Sequence, residues 1–251
     1  MPLLEQMTQL AKQAKSASRE LAKLTTAEKN SCLLAMAEAL EQNAEVLKQA
    51  NALDMEAAAK TLVGLLDQRP DDEEAAYMLG RIYYQDGRID HAMGVFQRAL
   101  KLNPKSYKAY DNLGLCYEAR GEKDLAIRHY LTAIKLVEKD HPDYDLAYAN
   151  LANLLLDSGD AEKAYGAAAK AAERNPTSAR NFYLGGKALT SLNKTDLALN
   201  WLERSASLDS SYPEPLYLLA RLYSQLGQAE KAKETMARFQ EVKTKKPRER
   251  R

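Results

Sequence analysis

The chain repeats itself. From residue 73 onward, units beginning at 73, 107, 145, 179 and 213 can be laid over one another, at spacings of 34, 38, 34 and 34 residues. A period of that length marks one supersecondary unit stacked several times, because a single pair of short helices cannot bury its apolar face without neighbours. The twentieth position of the unit is Ala92, Ala126, Ala164, Ala198 and Ala232, and the eighth is Gly80, Gly114, Ala152, Gly186 and Ala220. Small residues twelve positions apart put one point of close approach on each of two helices, where a larger side chain would overpack. Between them, position fifteen reads Gly87, Gly121, Gly159, Asn193 and Gly227. Gly, then Asn, are the residues that end a helix in the left-handed conformation. Three residues later stand Asp90, Asp124, Glu162, Asp196 and Glu230, acids suited to the positive end of a second helix. These columns predict five helix pairs, over 73–106, 107–144, 145–178, 179–212 and 213–246.

Composition fits this reading. Only four Ile and five Val occur in 251 residues, so the chain lacks the β-branched residues that sheets favour, and the expected fold class is all-α. No run of 18 apolar residues exists, so no membrane insertion is expected. Nothing at the N-terminus reads as a signal peptide, and the expected location is cytoplasmic. Residues 61–242 carry 23 basic and 26 acidic groups, whereas the last nine, KTKKPRERR, carry 6 and 1. Cations gathered on one end, with no aromatic among them, do not make the basic folded face that nucleic acid requires. Residues 247–251 are therefore read as a solubilising basic tail, and no nucleic-acid partner is expected.

Residues 1–76 contain no aromatic residue, and they form a segment of different character. Leu3, Met7, Leu10, Ala14, Ala17, Leu21 and Leu24 recur at helical spacing, and Thr25 with Glu28 fits a capping box. A second helix to about Ala50 carries Leu33, Met36, Leu40, Ala44 and Leu47 inward. Residues 1–56 thus read as a helical hairpin capping the array, and 57–72 as a bridging helix, or half repeat. The stretches LAKLTTAEKN (21–30) and MAEALEQNAEVLKQANALD (36–54) resemble the N-terminal helices of γ-glutamyl phosphate reductase. Neither that family's nucleotide-binding domain nor its catalytic cysteine follows, and Cys32 matches no catalytic position. The resemblance implies borrowed helices without reductase activity.

In the repeats, YMLGRIYYQDGRIDHAMGVFQRALKLNP (77–104) and YDNLGLCYEARGEKDLAIRHYLTAIKL (110–136) resemble the tetratricopeptide (TPR) family. Tyr130 occupies its Phe column, while Leu155 and Leu189 replace its usual Tyr. The resemblance implies a right-handed superhelix of antiparallel helix pairs whose first helices line a concave groove with positions two, five, six, nine and twelve.

No phosphate-cradling glycine loop, nucleophile elbow or metal-ligand spacing is present; His91, His129 and His141 are scattered, and Cys116 lies in a core-facing stretch. No catalytic residue, metal or cofactor is expected. In the groove, Tyr and a cation fall one helical turn apart at Tyr77/Arg81, Tyr183/Lys187 and Tyr217/Arg221. Asn112 and Asn150 carry amides able to hold a peptide backbone, and Lys108 and Asn153 lie beside them. The expected function is a non-catalytic adaptor or scaffold that binds a protein or peptide segment through these residues. Three alternatives stay open: homo-oligomeric self-assembly through the N-terminal helices or the fifth unit, an enzyme regulator that docks on a reductase partner through its N-terminal helices, and a fusion whose halves share no physiological function.

Overall fold

The computed structural model describes Thr25 and residues 44–245. The chain divides into two compact units, Met1–Asp54 and Met55–Arg251, and the helix pairs belong to the second. Among the described residues there are eleven helices and no strand. They are α1 (Ala44–Gln68), α2 (Glu73–Gln85), α3 (Ile89–Leu102), α4 (Tyr107–Ala119), α5 (Lys123–Asp140) and α6 (Leu146–Asp157). Then follow α7 (Ala161–Arg174), α8 (Ala179–Ser191), α9 (Thr195–Leu208), α10 (Pro213–Gln225) and α11 (Ala229–Lys245). The fold is all-α.

The same turn joins the helices of every pair. The amide of Gly87 donates to Tyr84 O and that of Arg88 to Tyr83 O, at 3.0 and 2.8 Å. These two bonds close a Schellman motif, which requires a left-handed residue after the helix. Gly121, Gly159 and Gly227 repeat it with φ of 78°, 82° and 72°. Asn193 takes the same place at φ 57°, a conformation most side chains resist. The second helix then opens on the acid that the sequence placed in its first turn, from Asp90 to Glu230. Return turns use a side chain: Asn103, Asn175 and Asp209 each accept the backbone amide two residues on.

One reading of the sequence needs correction. A break was expected near Ala50, with a separate bridging helix over 57–72, but α1 runs unbroken from Ala44 to Gln68. The residues NALDMEAAAK contain neither Gly nor Pro and are mostly strong helix formers, so nothing interrupts the ladder. The helix stops just before Pro70, which disfavours helical backbone at Arg69. Thr25 apart, the remainder of the proposed N-terminal hairpin lies outside the described residues, as do residues 246–251.

Packing is continuous along the array. Each first helix pairs with its own second helix, and that second helix packs on the first helix of the next pair. Successive first helices, α2, α4, α6, α8 and α10, also touch one another and form a wall. Ala92, Ala126, Ala164 and Ala198 are completely buried at the crossing within each pair. Position twenty-four fills the space over position eight: Phe96 lies on Gly80, Tyr130 on Gly114 and Leu202 on Gly186. Burial of one such side chain contributes about 1.5–3 kcal/mol. The four extra residues in the second unit lengthen α5 to 18 residues, against 14 in α3, α7 and α9.

Candidate interaction wall

The wall of first helices is crossed by side chains that reach from repeat to repeat. Asp111, on α4, is only 2% exposed. Its carboxylate accepts the Tyr144 hydroxyl at 2.6 Å and the Asn150 amide at 3.0 Å. Arg180, on α8, donates in turn to Asn150 Oδ1 at 3.0 Å. Four side chains thus link three consecutive repeats. Burial raises the Asp111 carboxyl above its ordinary range, and the bonds from Tyr144 and Asn150 with the charge of Arg180 oppose that shift only in part. A second bridge lies deeper: Asn181 donates to Asp145 at 2.6 Å and to Ala171 O at 3.1 Å.

This geometry corrects the role expected of Asn150. It is 6% exposed, and both ends of its amide are engaged inside the protein. Asn150 is therefore part of the wall's own fabric rather than a free clamp. Asn112 is half-exposed; its amide donates to Lys108 O at 2.8 Å and to the Tyr77 hydroxyl at 3.4 Å. Asn153 is half-exposed on α6.

The Tyr–cation pairs divide. The Arg81 guanidinium lies 6.0 Å from the centre of the Tyr77 ring, and the Lys108 ammonium, from the next repeat, lies 5.9 Å from it. Arg221 lies 5.9 Å from the Tyr217 ring. The third pair does not form: Lys187 turns to Asp157 at 3.7 Å, and Tyr183 packs edge-on against Tyr212 at 5.3 Å. A carboxylate within reach attracts an ammonium more strongly than a ring face does.

Sequence reasoning missed three contributors to the wall. Tyr144 comes from the lengthened connection after α5, which no repeat column covers. Leu146 and Met78 are apolar yet 49% and 48% exposed on the first helices. The signal was available in the row at position two, where Leu146 stands between Lys108 and Arg180.

Elsewhere the chemistry is quiet. Cys116 is buried, which pushes its thiol up to about 12 and leaves almost no thiolate at neutral pH. His129 stacks on Tyr117 at 4.9 Å with Nδ1 buried and unpaired, and burial lowers its pKa. Among the described residues, no cluster of three or more His, Cys, Asp or Glu is placed to hold a metal ion. Nor is any helix there long and apolar enough to cross a membrane. A cleft of about 440 Å³ lies beside the lengthened connection, and Arg174 closes one side of it. Arg174 donates to the carbonyls of Glu138, His141 and Pro142 and covers the Tyr148 ring at 4.7 Å.

Known proteins with this arrangement carry tetratricopeptide repeats. Residues 2–158 match the family model described as the tetratricopeptide repeat protein 21 C-terminal ARM domain, and residues 189–248 match a tetratricopeptide repeat model. The first match takes in residues 21–54, so the comparisons join that segment to the repeat family and show no likeness to reductase helices. The chain is 32% identical over 135 residues to anaphase-promoting complex subunit 3 of Schizosaccharomyces pombe, covering 54% of this chain and 20% of that protein. It is 26% identical over 172 residues to the DnaJ homolog subfamily C member 7 homolog of the same yeast, covering 62% of this chain and 35% of the relative. The chain thus spans only a fifth to about a third of these relatives. Among solved structures, PilF of Pseudomonas aeruginosa superimposes with a TM-score of 0.63 at 22% identity, over 70% of this chain and 78% of PilF. YrrB, described as a TPR protein with an unusual peptide-binding site, gives a TM-score of 0.58 at 17% identity, over 73% of this chain and 93% of YrrB. At such identities these structures speak for the fold alone. The repeat columns, the helix pairs and a family match over more than half the sequence agree: the chain belongs to the tetratricopeptide repeat family.

Proposed function

We propose that the chain is a non-catalytic adaptor or scaffold that acts in the cytoplasm and holds a protein segment along its first-helix wall. The observation that carries this reading is the placement of unneutralised cations on tyrosine rings. Arg81 and Lys108 approach Tyr77 from two repeats, and Arg221 approaches Tyr217, which is 42% exposed. Among the described residues none of these three cations forms an ion pair. Exposed cations without counterions, set beside apolar side chains, suit a partner that brings its own acidic and apolar groups. YrrB, a TPR protein with an unusual peptide-binding site, points the same way. Arg81, Lys108, Asn112, Asn153, Tyr183, Lys187, Tyr217 and Arg221 are the residues proposed to meet the segment, with the buried Tyr77 and Asn150 fixing the wall beneath.

Residues 1–56 are proposed as the cap of the array.

The test is a peptide-library screen with the intact chain and with a variant combining Arg81→Ala, Lys108→Ala, Asn112→Ala and Arg221→Ala. A control variant carries Lys101→Ala, Arg128→Ala and Lys135→Ala, exposed cations of second helices. Circular dichroism checks that both variants stay folded. The reading expects binding that the wall variant loses and the control keeps. Equal binding by all three proteins, or none by the intact chain, would overturn it.

A further inference from the structure

Position two of the first helices forms a row along the wall: Glu74, Lys108, Leu146, Arg180 and Glu214, one from each repeat. All five are exposed. Neither Lys108 nor Arg180 forms an ion pair among the described residues. Arg180 gives one N–H to Asn150 Oδ1, which fixes its direction and leaves the rest of its guanidinium fork to accept an anion. The Lys108 ammonium lies 5.9 Å from the centre of the Tyr77 ring, a weak hold that an anionic partner would outcompete. Between the two cations stands Leu146, half its surface in water. Glu74 and Glu214 close the row and oppose an anion beyond either end.

From this pattern the geometry points to the chemistry of the partner: an extended segment with an acidic residue, an apolar residue and a second acidic residue at intervals of about three. This inference rests on the wall being the binding surface. The interval follows from dimensions. Packed helices lie about 8–10 Å apart, so Lys108 and Arg180, two repeats apart, stand roughly 16–20 Å apart. An extended chain advances about 3.3 Å per residue and covers that distance in about five or six residues. The apolar side chain then falls over Leu146. The pattern reads the same in both directions, so the segment's polarity does not alter its charge match. The chain's own end, KTKKPRERR, carries 6 basic and 1 acidic residues, which excludes it as the occupant on charge.

Fluorescence anisotropy with labelled synthetic peptides tests the row. The full-length protein is titrated against peptides with the cores Glu-x-x-Leu-x-x-Glu, Lys-x-x-Leu-x-x-Lys and Glu-x-x-Ser-x-x-Glu, where x is Ser or Gly. The first should bind, should weaken as salt rises, and should exceed each of the others by about threefold to tenfold. Lys108→Glu should weaken the acidic peptide and favour one with Lys in place of one terminal Glu. Leu146→Ser should erase the preference for Leu over Ser. A reversed preference cannot come from a merely damaged fold. Equal affinity for the three peptides, or a Lys108→Glu protein that keeps the original order, would overturn the inference. If a library screen yields wall-bound peptides without this pattern, the row is refuted while the interaction wall stands. If nothing binds the wall, both fail.

Discussion

The ring of Tyr130 lies so close over Gly114 that a Cβ on that glycine would overlap the ring carbons. The same contact recurs with Phe96 over Gly80 and Leu202 over Gly186, and where position eight is Ala152, its counterpart is the small Ala168. The columns are thus coupled in size in the first four repeats, while the fifth sets Met236 opposite Ala220. Gly114→Ala should destabilise the array by about 1–3 kcal/mol, the usual cost of an overpacked core. Adding Tyr130→Leu should recover part of the loss, although it also removes the 2.7 Å bond from the Tyr130 hydroxyl to Glu118. Chemical denaturation of the single and double variants measures the coupling.

Asn193 is the one non-glycine residue at the repeated turn, and it is also the one non-glycine residue with positive φ among the described residues. Asn193→Gly should leave stability unchanged or raise it slightly. Asn193→Val should lower it by about 1–2 kcal/mol, because a β-branched side chain meets the backbone in this conformation. Thermal unfolding of the two variants distinguishes these outcomes.

Those two features show what the sequence made legible. Glycine and alanine columns name positions where geometry admits little else, so five residues in a column reveal helix pairs, turns and crossings. The wall was less legible, because a polar side chain at a given register can turn toward several partners. Asn150 and Asn112 occupy the same column, yet one is locked between Asp111 and Arg180 and the other stays half-exposed. The difference arises from neighbours: Tyr144 comes from the lengthened connection, and Arg180 from the following repeat. Lys187 matched the Tyr–cation spacing of Arg81 and Arg221, but Asp157 at the end of α6 captured it. The unbroken α1 was missed for another reason: the helix was read as ending near Ala50, although the residues that follow continue it to Gln68.

Asp111 makes stability depend on pH. Its folded-state pKa is raised by burial, so between the ordinary carboxylate value and the raised one the folded state binds more protons than the unfolded state. Stability contributed by this group is therefore greatest at low pH and falls as pH rises through the folded value. Relative to Asp111→Asn, the native protein should lose ground as pH rises above the ordinary carboxylate range. Asp111→Ala should cost about 1–3 kcal/mol, because the Tyr144 hydroxyl and Asn150 amide lose their acceptor. Denaturant midpoints across a pH series check both.

The buried thiol of Cys116 should resist alkylation. With its pKa pushed up to about 12, it should remain unlabelled by iodoacetamide in the native protein and react readily once denatured. Mass mapping of the Cys116 peptide gives the answer, and fast native labelling would contradict the burial.

The central claim is that partners lie along the first helices. Hydrogen exchange with a bound peptide from the library tests it most directly. The account predicts added protection in the first helices α2, α4, α6, α8 and α10, with α3, α5, α7 and α9 unchanged. Protection confined to the second helices, or to α11 alone, would contradict it.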